Sequence, residues 1–173
     1  MIDAARYSVI EELRDGSRVE IRALRPEDRS DLVAAVDRVS AQSLYRRFFA
    51  VRREFTEQET DFFVNVDFVN HVALVAVFEQ DGQPTIVGSG RYILVQPGRA
   101  EVAFAVIDEC QGKGVGAALM RHLVAISREA KLQELIADVL PENTSMLKLF
   151  EKCGCRMTTR REGQVVHITL GLN

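Results

Sequence analysis

Apolar and polar residues alternate with a period of two along much of the chain, which predicts strands. Two such segments, 7–13 and 19–24, flank a turn that contains Asp15 and Gly16. An Asp-Gly pair between apolar segments predicts a β-hairpin at the start of the fold. The other segments with a strand pattern are 71–78, 85–95, 101–107, 134–140, 155–160 and 165–170.

A first helix is predicted after the hairpin, beginning at Arg25-Pro26-Glu27-Asp28. Proline suits the first turn of a helix because its missing N–H would have no partner there, and acidic residues favour the positive end of the helix dipole. The buried face of this helix is predicted to consist of Leu32, Val33, Val36 and Val39.

The next segment combines an apolar stripe with basic residues. We interpret it as a core stripe with arginines in solvent, and the alternative is a phosphate-binding patch. A capping box that begins at Thr56 then predicts a helix through Val64 or Val66. The stripe consists of Leu44, Tyr45, Phe48 and Phe49, and the arginines are Arg46, Arg47, Arg52 and Arg53.

A glycine-rich turn, 111–117, lies between the apolar run 102–107 and an amphipathic stretch, 115–130. The first N–H groups of a helix have no intrahelical partner and carry the positive end of the helix dipole, so they attract anions. Glycines allow phosphate oxygens to approach the backbone closely. The sequence therefore predicts a diphosphate site that includes Gly112, Gly114 and Gly116.

Two other phosphate-binding motifs fit this turn less well. A nucleoside-triphosphatase loop requires G-x-x-x-x-G-K-[ST], whereas Lys113 lies between glycines and Val115 occupies the position of the hydroxyl residue. The dinucleotide fingerprint G-x-G-x-x-A fits Gly112, Gly114 and Ala117. The chain after this turn is too short for the later strands of a dinucleotide-binding sheet.

The strand before the turn carries a candidate catalytic acid, Glu101. Strand alternation predicts Glu101 on one face with Ala103, Ala105 and Ile107. The small alanines leave space beside the carboxylate. From the pattern alone, Glu101 is either a solvent-facing acid or a functional group.

Two features of the earlier strands are interpreted as structural. His71 lies at the start of a strand, and Gly88, Ser89 and Gly90 predict a bulge or a close approach of the backbone to a neighbouring group.

Two linked motifs resemble the GCN5-related N-acetyltransferase (GNAT) family. Gln111, Gly114 and Gly116 match the signature Q/R-x-x-G-x-G/A, whose loop holds the pyrophosphate of acetyl-CoA in that family. Asn143 follows a strand and opens a helix that ends near Gly154, similar to the family pattern N-x-x-A-x-x-L-Y-E-K-x-G-F. The resemblance implies a mixed, mostly antiparallel α/β sheet flanked by helices.

Further segments look like the catalytic domain of bacterial protein lysine acetyltransferases, so we expect residues 1–173 to form one such domain. The resemblance implies Glu101 as general base. It also implies acetyl-CoA as cosubstrate, without a metal, and a protein lysine as acceptor. The resembling segments are 43–49, 73–76, 100–106 and 140–143. The residues expected to contact acetyl-CoA are Val106, Ile107, Asp108, Gln111, Gly112, Lys113, Gly114, Val115, Gly116, Ala117 and Asn143.

Some roles stay open at this point. Asn143 is a strong helix N-cap as well as a candidate ligand of acetyl-CoA, and Lys113 either attracts the diphosphate or is solvated. Many relatives have a tyrosine as general acid in the last helix, where this chain has Phe150. The resemblance to the family therefore does not supply a proton donor for the departing thiolate.

The composition of the chain limits which binding partners and which cellular compartment are expected. A net charge of −3 and a pI of about 5.7 give no overall attraction to nucleic acid or to an anionic membrane. The chain has no apolar run of about 20 residues and no secretory leader pattern, which predicts a cytoplasmic protein. Cys110, Cys153 and Cys155 are an odd set without zinc-site spacing and are expected to be reduced, with Cys110 a packing residue.

The expected function is transfer of acetyl from acetyl-CoA to a primary amine, most specifically a protein lysine. Two alternatives remain, because the glycine turn recognises the donor and not the acceptor. One is acetylation of a small amine or a protein N-terminus. The other is an acyl-CoA-binding sensor without turnover, which loss of the base at Glu101 would indicate.

Overall fold

One eight-stranded sheet forms the centre of the protein, whose computed structural model describes residues 2–36, 38 and 56–173. The strands follow the order β1-β2-β3-β4-β5-β6-β8-β7, and only the β5–β6 pair is parallel. This mixed, mostly antiparallel sheet confirms the predicted fold class. The bounds are β1 Ser8–Glu12, β2 Arg18–Ala23, β3 His71–Gln80, β4 Gln83–Gln96, β5 Arg99–Val106, β6 Glu134–Val139, β7 Arg156–Glu162 and β8 Val165–Gly171.

Four α-helices flank the sheet in the described part of the chain, and none of them is long and apolar enough to cross a membrane. Short 3-10 turns precede α1 and the glycine-rich turn. The apolar stripe at 44–49, its arginines and Val39 lie outside the described residues. The helices are α1 Arg29–Val36, α2 Glu57–Val64, α3 Val115–Glu129 and α4 Thr144–Glu151.

The main core lies between α3 and one face of the sheet. Helical spacing predicts an apolar stripe that includes Ala130, and the stripe is buried there as far as Ile126, because these residues face the sheet together. Ala130 is exposed, since the helix ends at Glu129. A smaller apolar cluster lies on the opposite face, which α1 contacts through β4. The buried stripe consists of Val115, Leu119, Leu123 and Ile126, and the smaller cluster consists of Leu24, Ala73, Val75, Val77 and Ile86.

The prediction that α1 has a buried face is wrong. None of its residues is buried, Val33 is 43% exposed, and Leu32 and Val36 are only partly covered. Strand residues fill the smaller cluster, and α1 lies over its margin. Spacing predicts which residues share a helix face, but the neighbouring elements decide how deeply that face is buried.

The predicted close approach at the β4 glycines is confirmed. A Cβ atom on Gly90 would lie 2.7 Å from Cε1 of Phe104, and one on Gly88 would lie 3.1 Å from the carbonyl oxygen of Ala105. The register between β3 and β4 also shifts at Ala76 and Val77, as a bulge requires. The absent side chains leave room for the Phe104 ring between β4 and α3.

Candidate active site

A gap opens in the middle of the sheet, between the parallel strands β5 and β6. The two strands pair only from Arg99 to Glu101, opposite Glu134 to Ile136. Beyond that point β5 remains paired with β4 as far as Val106, while β6 remains paired with β8 as far as Val139. The inner edges of both strands are therefore unpaired over their last residues, which leaves a wedge that widens towards their carboxyl ends.

The glycine-rich turn forms one side of this wedge. It leads from β5 through the 3-10 turn Asp108–Cys110 into α3. Gly112 and Gly114 have φ angles of 81° and 95°, in the region that favours glycine. Gly114 is the N-cap of α3, so the first N–H groups of this helix are directed out of the turn without an intrahelical partner. This geometry suits a diphosphate.

Gln111 and Arg38 fix the position of the turn. The Nε2 atom of Gln111 donates hydrogen bonds to the carbonyl oxygen of Val106 at 3.0 Å and to Oδ1 of Asp108 at 3.3 Å. The backbone N–H of Asp108 donates to the carbonyl oxygen of Arg38 at 3.2 Å, and the Arg38 guanidinium donates to Glu109 at 2.7 Å. Sequence analysis missed Arg38, because nothing in the local pattern links it to a turn about 70 residues later.

The beginning of α4 forms the other side of the wedge. Oδ1 of Asn143 accepts a hydrogen bond from the backbone N–H of Met146 at 3.3 Å, which confirms the predicted N-cap. Further along α4, Phe150 is buried, and its ring centroid lies 6.3 Å from that of Phe104 on β5. An apolar ring therefore occupies the position where many family members have a tyrosine.

Glu101 marks the point where β5 and β6 separate. It pairs with Ile93 on one side and Ile136 on the other, and its side chain is exposed. Ala103 and Ala105 follow on the same face and are partly exposed, as predicted. Ile107 does not share this face: it is 1% exposed and belongs to the main core. The strand ends at Val106, so alternation no longer applies to Ile107.

The backbone of Val106 faces the wedge. The N–H of Ile107 donates to the carbonyl oxygen of Val87 at 2.9 Å, on the β4 side. Because backbone groups of successive residues point to opposite edges of a strand, the N–H of Val106 points towards β6. The hydrogen bond from Gln111 to the Val106 carbonyl is on this same edge. The wedge thus contains a backbone donor close to the glycine-rich turn.

The thiols do not add a nucleophile to this site. Cys110, Cys153 and Cys155 are free. Burial raises the pKa of Cys110 above its ordinary value, and burial raises the pKa of Cys155 to about 11. Both remain protonated thiols near neutral pH, which agrees with the predicted packing role of Cys110.

His71, on β3, lies in a buried contact with Arg91, and β4 separates it from Glu101. Its Nε2 atom accepts a hydrogen bond from Arg91 Nη1 at 3.0 Å, and the same guanidinium nitrogen donates to the carbonyl oxygen of Phe63 at 2.9 Å. Burial, and secondarily the charge of Arg91, lowers the pKa of His71 to about 4. A neutral ring that accepts from Arg91 supports the predicted structural role.

We expect His71 to make the protein less stable in acid. At pH 7 the ring is neutral whether the chain is folded or unfolded. Below pH 6.5 only the unfolded chain takes up the proton, until the folded protein does so near pH 4. The free energy of unfolding should fall by up to about 3 kcal/mol across this range through His71 alone.

Urea unfolding of the wild type and of His71→Gln at pH 7 and pH 4.5 measures this effect. The glutamine oxygen can still accept from Arg91 but does not titrate, so the difference between the two pH values should shrink in the variant. His167→Gln is the control, since it removes one histidine and leaves the contact between His71 and Arg91 intact. An equal loss of stability in wild type and His71→Gln would contradict the assignment.

The mixed sheet, with its separating strands and the glycine-rich turn before α3, has the fold of acyl-CoA-dependent N-acyltransferases. The sequence profile of the Acetyltransferase (GNAT) family matches residues 32–155, and the chain belongs to this family. It is therefore an acetyltransferase, with acetyl-CoA as the cosubstrate of the family. The glycine-rich turn and the wedge fit such a cosubstrate.

Relatives and solved structures agree with this assignment. The chain is 32% identical over 141 residues to acetyltransferase PA5475 of Pseudomonas aeruginosa, covering 81% of this chain and 76% of that protein. It is 30% identical over 147 residues to acetyltransferase Pat of Mycolicibacterium smegmatis, covering 83% of this chain but 43% of Pat. The GNAT domain of S. lividans PAT superposes with a TM-score of 0.85 at 33% identity, covering 95% and 96% of the two chains.

Proposed function

We propose that this protein transfers the acetyl group of acetyl-CoA to the side-chain amine of a protein lysine, with Glu101 as general base. The observation that carries the proposal is the exposed carboxylate of Glu101 at the point where β5 and β6 separate. An acceptor that approaches this face of the sheet meets the carboxylate next to the wedge. The donor binds from the side of the glycine-rich turn.

The reaction needs a base because a lysine amine has a pKa near 10.4 and is almost entirely protonated at neutral pH. Glu101 accepts this proton directly or through one water. The free amine then attacks the acetyl carbonyl, the new C–N bond forms, and the C–S bond breaks. This direct attack involves no covalent enzyme intermediate, no cysteine and no metal.

Backbone groups at the end of β5 assist the attack. The N–H of Val106 points into the wedge and stabilises the negative charge that develops on the carbonyl oxygen. Val106, Ile107 and Asp108 run alongside the pantetheine arm, Ile107 through its backbone because its side chain is in the core. Asn143 adds a hydrogen bond to acetyl-CoA beside its capping role. The diphosphate is bound by Gln111, Gly112, Lys113, Gly114, Val115, Gly116 and Ala117.

The departing thiolate takes its proton from water. The electron pair of the broken C–S bond stays on the sulfur, and Phe150 has no proton to donate. The Phe150 ring is buried against Phe104 and contributes an apolar wall instead. The thiolate of CoA is a sufficiently good leaving group for this route.

Two features favour a protein acceptor over a small amine. Exposed residues continue from Glu101 across the sheet to Asp138 on β6 and to Thr158 and Arg160 on β7. As far as the described residues show, this face is wide and exposed, which suits a folded protein, whereas a small amine is usually bound in a concave pocket. The similarity to relatives called Pat and PAT points in the same direction.

Transfer of labelled acetyl from acetyl-CoA tests the proposal, with a bacterial lysate divided into protein and small-molecule fractions. We expect label on discrete protein bands, resistant to hydroxylamine as an amide is. Label confined to the small-molecule fraction would replace the proposal with acetylation of a small amine. Bound acetyl-CoA without transfer to either fraction would replace it with the sensor function.

A further inference from the structure

Asp138 and His167 lie on the same face of the sheet as Glu101, across the wedge. Glu101 is level with Ile136 on β6, and Asp138 follows two residues later, so its side chain points to the same face. His167 on β8 pairs directly with Asp138. Asp138 therefore borders the wedge on the β6 side, two residues beyond the level of Glu101.

The imidazole of His167 orients this carboxylate. Nδ1 of His167 lies 2.5 Å from Oδ1 of Asp138, and the opposite ring nitrogen lies 3.2 Å from Oε2 of Glu162. The Asp138 side chain is 54% exposed, and that of His167 is 31% exposed. Among the described residues, His167 is the hydrogen-bond partner found for Asp138. Oδ1 of Asp138 is thus held by His167 on β8, and Oδ2 is available to bind a ligand.

We propose that Asp138, held by His167, binds the acceptor ammonium together with Glu101 and directs its amine into the wedge. This inference rests on the proposed lysine acetyltransferase function. An ammonium group has three N–H donors, so it can bind two carboxylates while one of its protons moves to the base. Asp138 contacts the substrate, and His167 acts through Asp138 as a positioning residue.

The same arrangement explains how the amine is aligned. The wedge widens beyond Glu101, so a lysine held by Glu101 alone can swing towards β6. A second carboxylate on β6 restrains it from the other side, and charge-assisted hydrogen bonds are stronger than neutral ones. Asp138 therefore contributes to acceptor binding, whereas proton removal remains with Glu101.

Steady-state kinetics of Asp138→Asn tests the inference, with poly-L-lysine and the acceptor protein recovered from the labelling experiment as substrates. Asparagine keeps the size of the side chain and an oxygen for His167 but removes the charge. We expect the KM for the acceptor to rise about tenfold. The KM for acetyl-CoA and kcat should change less than about twofold, since neither depends on this contact.

Three further variants separate ligand binding from a structural or general charge effect. Asp138→Glu should recover part of the acceptor affinity, and His167→Gln should raise the acceptor KM by a smaller factor than Asp138→Asn. Glu79→Gln removes one negative charge from an exposed residue on β3, outside the contact of Asp138 with His167 and Glu162, and should leave KM nearly unchanged. An equal rise in KM for Glu79→Gln would show that a general effect of negative charge, and not a specific contact of Asp138, determines acceptor binding.

The outcome also distinguishes this inference from the function on which it rests. A wild-type enzyme that acetylates lysine, with an unchanged acceptor KM in Asp138→Asn, would overturn the role of Asp138 alone. A wild-type enzyme inactive towards every lysine acceptor would overturn the proposed function. A fall in kcat without a change in KM would assign Asp138 to the chemical step and would also overturn the inference.

Discussion

Replacing Glu101 with glutamine should lower acetyl transfer to lysine by about 10²- to 10⁴-fold at pH 7, the usual range for removal of a general base. Glutamine keeps the size and polarity of the side chain but cannot accept the proton. Glu101 is exposed and lies on the acceptor side of the wedge, so its replacement should leave the affinity for CoA and the thermal stability nearly unchanged. Transfer assays, calorimetric titration with CoA and thermal unfolding measure these three quantities.

The loss should diminish as the pH rises. Near the lysine pKa of about 10.4 the amine is free without a base, so the rates of wild type and Glu101→Gln should converge. Glu79→Gln is the matched control, because Glu79 is an exposed carboxylate on β3 and lies outside the proposed acceptor site. A deficit that stays constant with pH, or transfer at the wild-type rate, would remove Glu101 from the role of base.

Replacing Gly114 with valine should weaken CoA binding by about 10- to 100-fold, the equivalent of roughly 1.4–2.8 kcal/mol. The φ angle of 95° at Gly114 is strained for any residue with a Cβ, most of all for a β-branched one. Relief of this strain would turn the N–H groups that begin α3 away from the diphosphate. The added Cβ would lie 3.9 Å from Cδ2 of Leu13, an ordinary contact, so the expected effect comes from backbone strain and not from a clash of this atom.

Gly82→Val is the control for the effect of backbone strain alone, without a change in the glycine-rich turn. Gly82 has a φ angle of 76° and open space around it, but it lies in the turn between β3 and β4. This variant should lose stability like Gly114→Val while binding CoA as the wild type does. Undiminished CoA affinity in a folded Gly114→Val protein would defeat the assignment of the glycine-rich turn to the diphosphate.

These two variants divide the site into its two functions. Glu101→Gln should retain the donor and lose transfer, whereas Gly114→Val should lose the donor while keeping the base. Saturating acetyl-CoA should therefore restore much of the rate of Gly114→Val and none of the rate of Glu101→Gln. This contrast follows from the positions of the two residues: Glu101 lies on β5, whereas Gly114 lies in the turn that connects β5 to α3.

Local rules explain where sequence analysis succeeded. The Asp-Gly hairpin, the capping box at Thr56 and the N-cap at Asn143 each depend on a few adjacent residues, and the structure has all three. The stripe on α3 depends only on helical spacing. Predictions that depended on neighbouring elements were less successful. Helix α1 has the predicted apolar spacing but no buried face. Ile107 lies just beyond Val106, the last residue of β5, so the alternation of the strand does not apply to it and its side chain is in the core.

The sequence by itself determined the order of the elements, the family, the glycine-rich turn before α3 and the position of Glu101 on β5. Only the tertiary structure decided that β6 pairs with β8 and leaves β5 after three residues, because strand pairing and register depend on contacts between distant segments. That pairing creates the wedge and places Asp138 beside His167, which are 29 residues apart in the chain. Neither residue carries a local signal for this contact, since its physical cause is the register of two strands.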